Sequence, residues 1–133
     1  MLRTQYRCHP TISAISNNLF YDDQLLDGVT AEDRPPLAVS VPTVLYRYMK
    51  HQYCFCQLDL LQPTWPVLSF FNVSDASEVC ERGNSFSNRA EASFVVLLLE
   101  ALVCDDVSAD SIGVITLYKA QQELISAMLA ESK

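Results

Sequence analysis

The run Gln5-Tyr6-Arg7-Cys8-His9-Pro10 places an aromatic ring and a guanidinium side by side just ahead of a proline that suits a helix start. A tyrosine ring can stack on a nucleotide base, and a planar guanidinium fork can reach phosphate oxygens. The same pair also fits a packed aromatic beside a salt-bridged arginine, and the two residues alone favour that plainer role. A second candidate lies at Thr116-Leu117-Tyr118-Lys119-Ala120-Gln121, where an apolar run passes into a helix. Backbone N–H groups and a hydroxyl at such a corner can meet a phosphate, although a simple strand-to-helix corner has the same appearance. A third cluster, His51, Cys54 and Cys56, has Cys-x-Cys rather than the Cys-x-x-Cys spacing of structural zinc sites, and no second pair follows. No metal site is expected there.

The elements that must position these residues follow from periodicity. Ile12, Ile15, Leu19 and Phe20 recur at helical spacing behind Pro10, which predicts a helix to about Tyr21 with one apolar face. Asp22-Asp23 and Asp27-Gly28 read as turns, and Pro35-Pro36 forbids a regular element. Val67 to Val73 is β-rich and apolar, which predicts a buried strand. Asp75 to Ser87 is polar and predicts a loop with Gly83-Asn84 as its turn. Asn88 opens a long helix, and Glu91 three residues on suggests a capping box in which Glu91 caps its own helix. Ala92, Val95, Val96, Leu99, Leu102 and Val103 keep helical spacing along it. Ile112 to Leu117 predicts a further strand, and Ala120 to Ala130 an amphipathic helix using Leu124, Ile125, Met128 and Leu129. Strands alternating with helices point to an α/β fold with a parallel sheet flanked by helices. The segment from Thr43 to Trp65 has no clean period and reads as an insertion at about 43–65.

Composition bounds the function. The chain of 133 residues has 16 acidic and nine basic residues, a formal net charge of −7, with half its residues hydrophobic. That is a globular composition, and its acidity argues against a freestanding nucleic-acid binder, whose phosphate affinity rests on clustered Lys and Arg. Five cysteines, an odd number at irregular spacing, and the lack of a basic-then-apolar leader point to an intracellular, reducing compartment. No apolar run reaches the roughly 18 residues of a membrane helix.

Three motifs together carry a resemblance. Gln5-Tyr6-Arg7, His9-Pro10, Ile12-Ser13 and Leu19-Phe20-Tyr21 resemble motif IV of superfamily 1 helicases of the nonsense-mediated-decay type. Ser85 and Asn88, with Glu91-Ala92, resemble that family's Ser-x-x-Asn-x-x-Glu-Ala helix start. Ile112-Gly113-Val114-Ile115-Thr116-Leu117-Tyr118 with Gln121 resembles its Ile-Gly-Val-Ile-Thr-Pro-Tyr-x-x-Gln, with Leu117 in place of proline. In order, the three span roughly two-thirds of the chain. The run from Met1 to Pro10 and the variant Thr116-Leu117-Tyr118-Lys119 look most like the branch carrying a GRF-type zinc finger.

The resemblance implies that residues 1–133 are the front part of the second (C-terminal) RecA-like domain of a P-loop NTPase-type motor, truncated at its C-terminus. It implies that Tyr6 stacks on the adenine of ATP and that Arg7 is an arginine finger at the γ-phosphate. Gln5 helps shape the same edge, and Glu91 lies near the nucleotide or caps its own helix. His9 and Pro10 set up the helix start. Thr116 and Tyr118 would face the single-strand track. The implied activity is ATP-dependent 5′-to-3′ unwinding in the nucleus, on DNA in preference to RNA. ATP with Mg2+ would be bound mainly by the first motor domain, the implied partner.

With only Gly28, Gly83 and Gly113, the chain cannot build the loop Gly-x-x-x-x-Gly-Lys-Ser/Thr. The family's later Gln-Gly-x-Glu and arginine motifs are not found either, so the chain alone is expected to be inactive. Two alternatives remain open: a non-catalytic interaction fragment, and an incomplete gene model without activity of its own.

Overall fold

The computed structural model describes residues 3–38, 66–73, 77–81 and 83–132. The insertion expected at about 43–65, with His51, Cys54 and Cys56, lies outside the described residues. The described residues divide into two compact units, one of residues 3–38 and 66–70, the other of residues 71–73, 77–81 and 83–132.

In the first unit, β1 (Thr4–Gln5) and β2 (Leu26–Asp27) pair in parallel, Thr4 opposite Leu26 and Gln5 opposite Asp27. Helix α1 (Pro10–Phe20) forms the crossover that a parallel pair requires. Pro10 occupies the first turn, where its missing N–H removes no intrahelical bond. The helix closes through Asp22 and Asp23, both at positive φ, a conformation that aspartate tolerates better than most residues. Asn17 ties the return: its side chain donates to the Leu25 carbonyl at 3.0 Å and accepts the Leu25 N–H at 2.8 Å. The helix itself is as the spacing predicts, but its apolar face is not buried. Ile12, Ile15, Leu19 and Phe20 are all exposed, Phe20 at 77%, and Ser13 is the buried residue of α1.

In the second unit, β3 (Glu78–Glu81) and β4 (Ser85–Asn88) form an antiparallel hairpin. Gly83 and Asn84 turn it, both with positive φ. The polar segment expected to be a loop is therefore mostly ladder, because strand pairing rewards cross-strand partners more than composition. Helix α2 (Arg89–Cys104) follows directly, then a short 3-10 turn at Ala109–Ser111, then α3 (Lys119–Glu131). Ala92 and Val96 of α2 and Ile125 of α3 are the buried centre, with Val95, Leu124, Met128 and Leu129 packed around them. The opposite side of α2 buries Phe94, whose ring meets Phe71 at 5.1 Å between centroids.

Two expected strands are not strands here. Val67 to Val73 carries only an isolated bridge at Asn72, and Ile112 to Leu117 has no ladder partner among the described residues. Ile115 and Leu117 are each 94% exposed. Apolar, β-branched sequence suits a pleated buried surface, but a strand exists only where a neighbour supplies its hydrogen bonds. The α/β class with a small parallel sheet and helices stands. Among the described residues no helix is long and apolar enough to cross a membrane.

Candidate functional site

Strand β1 ends at Gln5 and helix α1 begins at Pro10, so Tyr6 to His9 form a short connection whose backbone has no ladder of its own. Side chains take over that work. The Gln5 amide oxygen accepts the N–H of Arg7 at 2.9 Å and of Cys8 at 3.0 Å. Its amide nitrogen donates to the Cys8 carbonyl at 2.9 Å and to the Asp27 carboxylate at 2.6 Å. Both hydrogens and both lone pairs of the amide are thereby used, so Gln5 shapes the loop and has no hydrogen-bonding capacity left over. His9 caps α1, its Nδ1 accepting the Thr11 N–H at 3.0 Å, which accounts for a histidine ahead of the proline.

Asp27 anchors the network from β2. The buried Ser13 hydroxyl donates to its Oδ1 at 2.6 Å, the same oxygen that Gln5 reaches. The Ser13 hydroxyl and then the Gln5 amide hold the Asp27 carboxyl below its ordinary value. On the loop's other carbonyls sits Arg34, donating from Nη2 to the Tyr6 oxygen at 3.2 Å and from Nε to the Arg7 oxygen at 3.3 Å.

The backbone of Tyr6 and Arg7 is thus fixed while their side chains are left outward. Tyr6 is 65% exposed, and its ring lies against Gly28, so closely that a β-carbon there would overlap ring atoms Cδ1, Cε1 and Cζ. The Arg7 guanidinium is exposed, and among the described residues no carboxylate pairs with it. Of the plainer role, the packing of Tyr6 is present on Gly28, while the salt bridge to Arg7 is not found among the described residues. An open aromatic face next to an unpaired planar cation can receive a base and an oxyanion together.

Glu91, Thr116 and Tyr118 belong to the second unit. Asn88, 5% exposed, caps α2 by accepting the N–H of Ala90 at 3.1 Å and of Glu91 at 3.2 Å. The capping box is only half formed, which corrects the expected role of the Glu91 side chain. Gln121 of α3 occupies the Asn88 N–H at 2.7 Å and donates back to the Asn88 carbonyl at 3.2 Å. Glu91 stays exposed in the first turn of α2, where negative charge suits the helix dipole. Ser85 accepts the Ala120 N–H at 2.9 Å. Ser85, Asn88 and Gln121 therefore tie hairpin, α2 and α3 at one knot.

At the corner before α3, the Thr116 hydroxyl donates to the Tyr118 carbonyl at 3.1 Å. Ser85 fills one of the open N–H groups of that helix start, and the Tyr118 ring rests edge-on against Phe86 at 5.1 Å. Lys119 pairs with Glu123 at 3.5 Å, both exposed. Among the described residues no three His, Cys, Asp or Glu side chains gather as a metal site. An exposed tyrosine ring and an exposed guanidinium are of the kinds that a nucleotide can engage; among the described residues no acidic cluster is gathered for a magnesium ion.

Sequence reasoning passed over Arg34, Gly28 and Asp27, which it placed in polar or turn segments, and over the reach of Gln121. The Thr30-x-x-Asp33 spacing was the available sign that the turn before Arg34 is ordered.

The sequence pattern of the AAA domain family matches residues 1–133. The chain is 41% identical over 130 residues to the 5′-3′ DNA helicase ZGRF1 of Mus musculus, covering 98% of this chain and 6% of that protein. It is 35% identical over 124 residues to Regulator of nonsense transcripts 1 of Caenorhabditis elegans, covering 93% of this chain and 10% of that one. It is 34% identical over 128 residues to the DNA replication ATP-dependent helicase/nuclease DNA2 of Saccharomyces cerevisiae, covering 93% and 8%. The chain spans a tenth or less of these curated relatives. From the match over its whole length and from these relatives, the chain belongs to the AAA domain family, as a domain of the superfamily 1 helicase type.

Proposed function

We propose that residues 1–133 serve as the front part of the second RecA-like domain of an ATP-dependent, 5′-to-3′ helicase, with an insertion at about 43–65. Arg7 acts as the arginine finger: its charge meets the γ-phosphate as negative charge spreads over the phosphoryl oxygens, and no covalent step is asked of it. Tyr6 stacks on the adenine. Gln5 shapes that edge through the backbone of residues 7 and 8, and Glu91 lies near the nucleotide. Thr116 and Tyr118 contribute to the single-strand track. For Thr116 to contact a phosphate through its proton, the hydroxyl must turn away from the Tyr118 carbonyl. ATP and Mg2+ are held mainly by the first motor domain, which is the partner the site requires. The kinship with a DNA helicase favours DNA and the nucleus.

One observation supports the proposal: the backbone of Tyr6 and Arg7 is tied by side-chain hydrogen bonds while both side chains are exposed, and Arg7 has no carboxylate partner among the described residues. Ordering a loop has an entropic cost of about 1–2 kcal/mol per residue, which is offset where a ligand must find the groups already in place.

The test replaces the matching 130 residues of the mouse helicase with this chain and measures ATP turnover on single-stranded DNA. The grafted protein is expected to hydrolyse ATP. Arg7→Ala should lower turnover by about 10³–10⁵-fold while nucleotide affinity stays near that of the unsubstituted graft. Near-normal turnover in Arg7→Ala, or an inactive but folded graft, would sink the assignment.

A further inference from the structure

We propose that Arg34 is a positioning residue for the nucleotide-facing loop, acting through the backbone of Tyr6 and Arg7; this rests on the function proposed above. The guanidinium bridges two consecutive carbonyls, Tyr6 through Nη2 at 3.2 Å and Arg7 through Nε at 3.3 Å. Its third nitrogen, Nη1, donates to the Asp33 carbonyl of its own turn at 2.9 Å. Every guanidinium nitrogen is therefore engaged with a carbonyl, and the side chain reaches 27 and 28 residues back along the chain to do it.

The turn presenting Arg34 is itself closed. The Asp33 carboxylate accepts the Thr30 N–H at 2.8 Å and the Thr30 hydroxyl at 3.1 Å. The Asp33 N–H lies 3.3 Å from the Thr30 Oγ1, and the Arg34 N–H donates to the Ala31 carbonyl at 3.3 Å. Arg34 thus projects from a locked turn rather than from a free loop.

The consequence falls on Arg7. Gln5 holds its N–H from one side and Arg34 holds its carbonyl from the other, so both peptide planes flanking its Cα are fixed. A guanidinium aimed at a phosphoryl group then moves only about its own side-chain torsions. The planar, forked donor set suits two separated carbonyls at once; a lysine ammonium has one donor centre and cannot span them.

The experiment uses the grafted helicase. Arg34→Ala is expected to lower kcat for ATP by up to about 100-fold, the effect of displacing a catalytic group by about 1 Å. Arg34→Lys should recover little of that loss, although it keeps the charge. In a double-mutant cycle on nucleotide affinity, Arg34→Ala should add nothing once Tyr6 is already alanine, because it acts through that residue. Unchanged kcat in Arg34→Ala, full recovery in Arg34→Lys, or additive losses with Tyr6→Ala would each overturn the proposal. If Arg34→Ala fails to fold, Arg34→Lys is read alone, and wild-type kcat in it overturns the proposal. Normal hydrolysis in Arg7→Ala would instead remove the reading beneath; a dead Arg7→Ala beside a normal Arg34→Ala would remove only Arg34.

Discussion

Replacing Gly28 with alanine puts one methyl group under the Tyr6 ring. The added Cβ would lie 2.7 Å from Cζ and closer still to two neighbouring ring atoms. Ordinary carbon contacts sit at about 3.5–4.0 Å, so the ring must retreat by about 1 Å or more. The backbone gives no reason for strain, because Gly83 is the glycine with positive φ and Gly28 is not. The ring is the movable partner, since Tyr6 is an exposed residue. The expected result is therefore a folded protein with a displaced stacking face. Stacking of a base on an aromatic ring is worth about 1–3 kcal/mol, which is about 5- to 150-fold in affinity. Gly28→Ala should weaken binding of a fluorescent ATP analogue to the grafted helicase within that range and no further than Tyr6→Ala does. The double variant should match Tyr6→Ala. Thermal stability should change little, since the substitution also lowers the entropy of the unfolded chain by about 0.4–1 kcal/mol. Unchanged nucleotide affinity would refute the seating of Tyr6 on Gly28 as the source of the stacking geometry. A large loss of stability with no specific loss of affinity would make Gly28 a folding residue instead.

Gln121→Ala removes both bonds to the Asn88 backbone and leaves a buried N–H without its partner, which is expected to cost about 1–3 kcal/mol by chemical denaturation; a smaller effect than at an exposed position such as Gln122 would refute the knot. Asp27→Asn tests the acid limb: the folded carboxyl titrates below its unfolded value, so its contribution is complete above the unfolded pKa and is lost as pH falls through the folded one. The wild type should therefore lose stability relative to Asp27→Asn as the solution is acidified below about pH 4, and parallel acid profiles would show that the Ser13–Asp27–Gln5 network contributes nothing.

The local signals in the sequence were sufficient wherever the determinant lies within one turn of its effect. Pro10 after His9 set the start of α1, Asn88 set the start of α2, and the spacing of Ala92, Val96 and Ile125 located the centre of the helical core. The order and spacing of three motifs were enough to place the chain in its family, because motif spacing preserves a fold's geometry even where single residues are ambiguous. What the sequence could not display is pairing at a distance. Whether Val67 to Val73 and Ile112 to Leu117 are strands depends on neighbours that supply hydrogen bonds, and their own apolar character says nothing about those. Glu91 sits where a capping box wants it, yet Gln121, 33 residues from Asn88, takes the donor that the box needs. The loop from Tyr6 to His9 shows the same division. Tyr6 and Arg7 were legible as residue types, but only the tertiary structure brings Gly28 under the ring and Arg34 onto two carbonyls, since close approach and side-chain reach are properties of the folded chain.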